Sequence, residues 1–191
     1  VGAIAFDSDS ADYEMFITGK GNFRFEVQPT YKQNRSGKPK PQHLQGLREY
    51  LIEAYDANVS VGEEADDVIT IRATELGGEA VIASVDKDFL QVPCWHYNLN
   101  RGTLVNVTEF EGLRFFYGQI LTGDTADNVF GLKGIGPVKS TKMLAGATTE
   151  QELYEICVDA YDGDTKKVTE NARLLWLRRK EGEIWQPPEV N

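Results

Sequence analysis

The stretch GDTADNVFGLKGIGPVKSTKML, residues 123–144, combines two patterns with different chemistry. Asp124 and Asp127 stand three residues apart, which places two carboxylates on one face of a helical turn, where they can share a hard divalent cation. The glycines that follow allow the backbone to approach a phosphate closely, and Pro137 favours a helix start whose amino end attracts anions. A Gly-x-Gly turn alone is often only a tight corner between helices. Together the two patterns indicate hydrolysis of a nucleic acid.

An acidic cluster opens the predicted helix EEADDVITIRATEL, residues 63–76. Its first turn holds four carboxylates, those of Glu63, Glu64, Asp66 and Asp67. Acids near a helix amino end are stabilised by the helix dipole, which accounts for one or two of them. Glu64 and Asp67 also share a face, where repulsion costs stability unless a cation or a basic partner is present.

A second cluster follows the apolar run AVIASV, residues 80–85, which is typical of a buried strand. Asp86 and Asp88 come at the carboxyl end of this strand, the edge at which ligands bind in open α/β sheets. Capping of the following DFLQV segment accounts equally well for Asp86 alone. The sequence thus has three clusters of acidic residues, at 63–67, 86–88 and 124–127, and each lies at the boundary of a predicted element. Together they favour a metal site.

In this order, EADD at 64–67, SVDKDFLQV at 84–92 and the 123–144 stretch resemble the signature motifs of the structure-specific 5′ nucleases. That family includes flap endonucleases, the 5′-nuclease domains of bacterial DNA polymerases and bacteriophage 5′–3′ exonucleases. The resemblance runs from the first strand to about residue 145. Three motifs in order are a far more specific signal than any one of them.

The resemblance implies an α/β fold. We expect a parallel-sheet, PIN-like nuclease core over residues 1–115, including a basic arch-like loop at 20–40. A small helical DNA-binding domain of the helix-hairpin-helix type (helix-3-turn-helix) is expected over 116–191. The turn at 131–139 is its DNA-binding element.

The same resemblance implies a metal-dependent 5′–3′ exonuclease or flap endonuclease that cleaves DNA near 5′ ends, with the balance between the two activities left open. Two divalent ions about 3.5–4 Å apart lower the pKa of the attacking water and stabilise the leaving oxygen. Carboxylate oxygens suit Mg²⁺ or Mn²⁺. The metal ligands carried over are Asp7, Glu64, Asp66, Asp67, Asp86, Asp88, Asp124 and Asp127.

The segment YKQNR, residues 31–35, resembles the part of the family that supplies a lysine and an arginine above the scissile phosphate. Lys32 and Arg35 fill these two catalytic positions. Residues 20–40 contain six basic side chains and one acidic one. A mobile basic segment can order on phosphate and supply charge in the transition state. A solvated surface loop is the structural alternative.

DNA binding is assigned by the resemblance to backbone amides and side chains of the 131–139 turn, with a potassium ion at this turn as in the family. The DNA-binding residues carried over are Lys133, Gly134, Ile135, Gly136, Lys139 and Ser140. Because recognition is of the backbone and the 5′ end or flap, we expect little sequence specificity and a steep loss of affinity with salt.

The amino terminus departs from the family pattern. Family members open with an earlier strand that carries another metal-binding aspartate, whereas VGAIAFDSD, residues 1–9, resembles the next strand. Asp7 is therefore the carried-over ligand and Asp9 the alternative. This pattern leaves open a fragment, a first strand supplied by a second polypeptide, or a reduced site.

Two other functions remain open on this evidence. A noncatalytic DNA-binding subunit would fit the departure at the amino terminus. AFDSDS also resembles the acid motif of haloacid-dehalogenase phosphatases, with Asp7 as the nucleophile and Asp9 as the acid. That phosphatase hypothesis gives no role to EEADD or to GIGPVK.

Composition agrees with the nuclease interpretation. A chain of 191 residues with 41% hydrophobic content can bury a core, and the formal charge of −10 argues against a protein that coats DNA nonspecifically. Cys94 and Cys157 are typical of reduced core thiols. We expect a cytoplasmic protein of a bacterial or phage-infected cell, with no membrane span and no secretory signal.

The periodicity of apolar residues predicts helices near 42–56 and 63–76, the strand at 80–85 and an extended pair near 94–107. From about residue 108 the chain is predicted to be mainly helical. Trp176 and Trp185 are expected to pack in the core rather than to stack on bases.

Overall fold

The computed structural model describes residues 1–189. The α-helices are α1 (Gly2–Asp7), α2 (Arg24–Val27), α3 (Leu44–Tyr55), α4 (Ala65–Leu76), α5 (Glu109–Thr122), α6 (Pro137–Leu144), α7 (Glu150–Ala160) and α8 (Thr165–Leu175). Single 3-10 turns cover Gln33–Arg35, Gly77–Glu79, Lys87–Gln91 and Thr125–Asp127.

The strands are short, and they pair in three small sheets within residues 1–189. Two pairs are parallel, β1 with β2 and β3 with β4, while β4 with β5 and β6 with β7 are antiparallel. The bounds are β1 (Phe16–Lys20), β2 (Asn58–Val61), β3 (Val81–Ser84), β4 (Trp95–Asn98), β5 (Thr103–Asn106), β6 (Gly123–Asp124) and β7 (Val129–Phe130). Parallel pairs beside helices confirm the predicted α/β class.

The predicted first strand is wrong. Residues 2–7 form helix α1, and the strand that follows, β1, comes from FITGK at 16–20. The Gly-Ala-Ile-Ala-Phe run of α1 has alanine, the best helix former, at every second position. Ser8 ends the helix, and its hydroxyl donates to the carbonyl of Ile4. The phosphatase hypothesis loses its support, because it required Asp7 to follow a strand.

The main core surrounds helix α5. Phe116, Tyr117, Ile120 and Leu121 are completely buried, and α6, α7 and α8 pack around them. Burial of side chains of this size contributes about 1.5–3 kcal/mol each, so α5 is the central element of the carboxyl-terminal half. The predicted boundary between residues 115 and 116 falls inside this helix.

Local signals explain where the helices of this half begin. Thr108 accepts from the backbone N–H of Glu111, whose carboxylate accepts from Thr108 N–H in return. Thr149 and Glu152 form the same capping box ahead of α7. Each box satisfies backbone donors that the helix itself leaves unpaired.

Trp185 is buried in this core, and Trp176 packs edge-on against Phe116 at 4.8 Å. Cys94 and Cys157 are buried and free. None of the helices within residues 1–189 has the length and apolar character needed to cross a membrane.

Candidate active site

The first turn of α4 contains a buried ion pair. Arg24, which opens α2, is 1% exposed and Asp67 is 0% exposed. Two guanidinium nitrogens of Arg24 donate to the two carboxylate oxygens of Asp67 at 2.6 and 2.8 Å, and the same side chain donates to the carbonyls of Leu174 and Trp176. Asp67 also accepts from the backbone N–H of Glu64. The structure thus places Asp67, predicted as a metal ligand, in a buried salt bridge.

The basic segment at 31–35 lies directly on the acidic residues. The hydroxyl of Tyr31, which is buried, lies 3.0 Å from a carboxylate oxygen of Glu64 and 2.8 Å from one of Asp127, and its single proton can be donated to either. Lys32 pairs with Glu64 and lies 3.4 Å from Asp127. Arg35 pairs with Asp127 as well. This part of residues 20–40 is therefore anchored on the site rather than a free solvated loop.

Asp86 and Asp88 follow strand β3, as predicted. Asp86 caps the 3-10 turn by accepting from the backbone N–H of Asp88 at 3.0 Å, so the capping alternative also holds for it. Burial raises the pKa of Asp88 to about 6, and the charges of Asp86, Asp124 and Asp127 add to this effect. The repulsion shows that carboxylates from two distant parts of the sequence lie close enough to interact.

Asp66 experiences the same kind of environment. Burial, together with the charges of Glu64 and Asp86, raises the pKa of Asp66 to about 6, although Lys32 acts in the opposite direction. Within residues 1–189, however, no three Asp, Glu, His or Cys side chains form a group that could hold one ion. The structure brings together a set of mutually repelling carboxylates, which we call the acidic group. Its members are Glu64, Asp66, Asp86, Asp88, Asp124 and Asp127.

Asp7 has a different neighbour. It is exposed on α1, and one of its carboxylate oxygens accepts from the Tyr97 hydroxyl on β4 at 2.7 Å. That hydrogen bond raises the pKa of Tyr97. Asp9, the alternative, adopts a left-handed backbone conformation with φ 53° just after the helix. Neither aspartate ends a strand.

The glycine-rich turn after β7 packs tightly at one end. A Cβ at Gly131 would lie 2.2 Å from the carbonyl carbon of Thr122, so only glycine fits there. Gly134 has φ +79°, which favours glycine as well. Gly136 then precedes α6 as its N-cap, and Pro137 is the first helical residue. The backbone N–H groups at this helix start are the kind that bind anions.

Lysines surround this helix start. Lys133 and Lys139 are exposed, and an open groove of about 320 Å³ lies beside Lys139, Lys142 and Val138. Ser140, predicted to bind DNA, is instead 3% exposed, and its hydroxyl donates to a backbone carbonyl within α6. The hydroxyl faces α5, because a Cβ at Gly118 would lie 3.8 Å from it. Ile135 is half-buried and packs on the main core.

Three residues that touch the predicted site were missed by the sequence analysis. Tyr31 stands next to Lys32, and an aromatic residue inside a polar loop was the available signal. Arg24 was counted among the bases of the loop, and its burial has no sequence signal. Gln119 donates its side-chain amide to Asp88 at 2.7 Å, and it lies in an apolar helix 31 residues away.

An α/β core in which carboxylates face a lysine and an arginine, next to a glycine-rich helix start, is the arrangement of a 5′-nuclease core. No family model matches the chain. The chain is 30% identical over 175 residues to the flap endonuclease Xni of Shewanella piezotolerans, covering 83% of this chain and 68% of that protein. Over 173 residues it is 29% identical to the flap endonuclease Xni of Shewanella putrefaciens, with 83% and 66% covered.

Solved structures show the same fold. The bacteriophage T5 flap endonuclease, in a complex with DNA and metal ions, superimposes with a TM-score of 0.67 at 18% identity, over 92% of this chain and 77% of that one. T5 5′-exonuclease with bound zinc gives 0.64 at 18% identity, over 91% and 77%. The chain belongs to the flap endonuclease family of 5′ nucleases. It spans about two thirds of the length of the relatives it matches, 66% for the first of them.

Proposed function

We propose that this chain is a divalent-metal-dependent 5′–3′ exonuclease and flap endonuclease that hydrolyses DNA phosphodiesters near 5′ ends. The observation that carries the proposal is the contact of Lys32 and Arg35 with Glu64 and Asp127. A basic segment and carboxylates meet there at one place, where a phosphate and cations can both be held. Flap endonuclease relatives that cover most of the chain support this assignment.

The acidic group fits a site for Mg²⁺ or Mn²⁺ in its donor chemistry. It offers only hard oxygen ligands, and the pKa values of Asp66 and Asp88 are raised first by burial and then by repulsion from neighbouring acids, which a cation would relieve. When bound, a pair of such ions activates a water molecule and stabilises the leaving oxygen. Asp67 stays paired with Arg24 in this proposal and holds the first turn of α4 in place.

Lys32 and Arg35 contact the phosphodiester in this proposal. Their present partners are Glu64 and Asp127. Glu64 and Asp127 would hold the cations, and Lys32 and Arg35 would then be available to a phosphate. A fixed positive group beside the phosphate stabilises the charge that develops on its oxygens in the transition state.

Duplex DNA lies in this proposal along the glycine-rich turn and the start of α6. Backbone N–H groups near Gly136 and the exposed Lys133 and Lys139 would contact phosphates, and the backbone of the 131–139 turn would hold a potassium ion. These contacts carry no base information, so binding is insensitive to sequence and weakens steeply with salt. The free buried thiols agree with a reducing cytoplasm.

Cleavage of a 5′-labelled flap DNA tests the proposal. The protein should release labelled product with Mg²⁺ or Mn²⁺ and none with a chelator, and Asp86→Asn should lower the rate by at least about 100-fold while DNA affinity in chelator is kept. Asp159→Asn, the same charge change at an exposed position of α7, is the matched control. Full activity of Asp86→Asn would refute the site assignment.

A noncatalytic DNA-binding subunit is the second candidate, favoured by the pairing of three predicted ligands with basic side chains. These pairs are Asp67 with Arg24, Glu64 with Lys32 and Asp127 with Arg35. That function predicts DNA binding without metal-dependent cutting under any condition. Cutting that starts only after other proteins of the cell are added would instead show that a second polypeptide completes the nuclease.

A further inference from the structure

Gln119 is a buried polar side chain that contacts the acidic group from the main core. It lies on α5, is 5% exposed and donates from Nε2 to Oδ1 of Asp88 at 2.7 Å. Its other side-chain atom, Oε1, is buried and has no hydrogen-bond partner within residues 1–189. Burial of an unpaired amide oxygen costs about 1–3 kcal/mol. Packing alone does not explain a glutamine at this core position, since leucine or methionine would fill the same space without burying an unpaired oxygen.

The contact between Gln119 and Asp88 is held by rigid packing. Helix α5 lies directly on the 3-10 turn Lys87–Gln91, because a Cβ at Gly112 would come within 2.5 Å of the carbonyl oxygen of Gln91. Backbone is thus in contact with backbone where α5 meets this turn. The distance from Gln119 to Asp88 is fixed by the core and not by the mobile ends of the two side chains.

Asp88 has few other constraints. Its remaining polar side-chain partner is Lys87, 3.5 Å from the same Oδ1 and largely exposed. A lysine side chain of that exposure does not hold one geometry. The buried amide of Gln119 therefore fixes the orientation of the Asp88 carboxylate. One oxygen is held by the hydrogen bond to the core, and the other is free to face the acidic group.

We propose that Gln119 is a positioning residue, which orients the Asp88 carboxylate for divalent-cation binding. The inference rests on the proposed nuclease function and deepens it. A donor to one oxygen of a ligating carboxylate fixes the direction of the other oxygen, and such outer partners typically control metal affinity by about 10–100-fold.

Gln119→Met tests the inference, because methionine keeps the volume and removes the donor. Isothermal titration of Mn²⁺ into the protein without DNA should show affinity at least about 10-fold below wild type. Asn171→Leu is the matched control. It removes another buried amide, which donates to the Phe130 carbonyl and also carries an unpaired oxygen but contacts no acid. Its Mn²⁺ affinity should equal that of wild type.

A double-mutant cycle with Asp88→Asn separates positioning from general damage. Gln119→Met should cause no further loss in the Asp88→Asn background if it acts through that carboxylate. If Gln119→Met does not fold, Gln119→Asn replaces it, since its shorter amide stays polar but withdraws the donor, and the same loss is expected.

Each outcome separates the two proposals. Equal Mn²⁺ affinity of wild type and Gln119→Met, with tight binding by both, overturns the role of Gln119 and leaves the nuclease proposal intact. An equal loss in Gln119→Met and Asn171→Leu also overturns it, because the effect is then one of stability. Lack of Mn²⁺ binding by wild type overturns the metal site itself.

Discussion

Breaking the Arg24–Asp67 pair should lower the free energy of unfolding far more than breaking an exposed ion pair would. We consider Asp67→Asn, which keeps the shape of the side chain and removes its charge. Asp67 is fully buried and accepts both bonds of a bidentate guanidinium. In the variant, the NH₂ of the new amide faces an N–H of Arg24, so one hydrogen bond is replaced by opposed donors. The buried guanidinium loses its bidentate partner and keeps only the longer contact with Glu64 at 3.7 Å.

The magnitude follows from the burial of both partners. Loss of one partner of a buried ion pair costs about 3–5 kcal/mol, since the remaining charge stays out of water. A domain of this size has a free energy of unfolding of about 5–15 kcal/mol, so the variant loses a large share of its stability. Arg24 also donates to the carbonyls of Leu174 and Trp176, so the segment after α8 should loosen at the same time.

Urea unfolding in the presence of a chelator measures this loss. Tryptophan fluorescence is a suitable signal because Trp176 lies at the contact. Arg72→Met is the matched control, since Arg72 pairs with Glu14 at 2.8 Å but is 40% exposed, and its loss should cost below about 1 kcal/mol. The double variant Arg24→Met with Asp67→Leu should recover most of the stability, because no unpaired charge remains.

One result would refute this reasoning. If Asp67→Asn costs below about 1 kcal/mol, like an exposed pair, and Mn²⁺ binding disappears, then Asp67 acts as a ligand and not as the partner of Arg24. A large loss of stability together with unchanged Mn²⁺ affinity per folded molecule confirms the structural role.

Two further predictions follow from the turn and from the acidic group. Gly131→Ala should cost about 3 kcal/mol, because the new methyl would overlap the backbone at Thr122, whereas Gly146→Ala, which has open space, should cost little. Urea unfolding compares the two, and equal stability would contradict the clash. Since the pKa of Asp88 is raised to about 6, its contribution to stability is present below about pH 4 and is lost as the pH rises through about 6. In chelator, wild type should therefore lose about 1 kcal/mol more than Asp88→Asn between pH 5 and pH 7.5. Parallel pH profiles of unfolding would contradict this.

Much of the fold could be predicted because its signals are local. The helix at 65–76, strand β3 and the hairpin of β4 and β5 follow from apolar periodicity and from acids at element ends. The amino-terminal helix could not, since six apolar and small residues suit either a short helix or a strand. Such a segment becomes a strand only if a neighbouring strand is available to pair with it. In this structure β2 pairs with β1, not with residues 2–7.

The site was predictable as a set of segments but not as a set of roles. EADD at 64–67 presents three carboxylates that are equivalent by composition. In space Glu64 meets Tyr31 and Lys32, Asp66 meets other acids, and Asp67 is buried against Arg24. These different contacts depend on which side chains of α2 and of the segment after α8 lie next to the first turn of α4. The motif itself does not specify those neighbours.

The same argument explains how one buried pair can serve the proposed chemistry. Arg24 joins three parts of the chain, namely α2, the first turn of α4 and the carboxyl end of α8 with the residue that follows it. Tyr31, seven residues further on, then reaches both Glu64 and Asp127. Arg24 and Tyr31 thus fix the chain at two points ahead of Lys32 and Arg35. These two bases are therefore held beside the carboxylates with which they are proposed to act on the same phosphodiester. Loss of Arg24 should therefore disturb the placement of these bases as well as the stability of the fold.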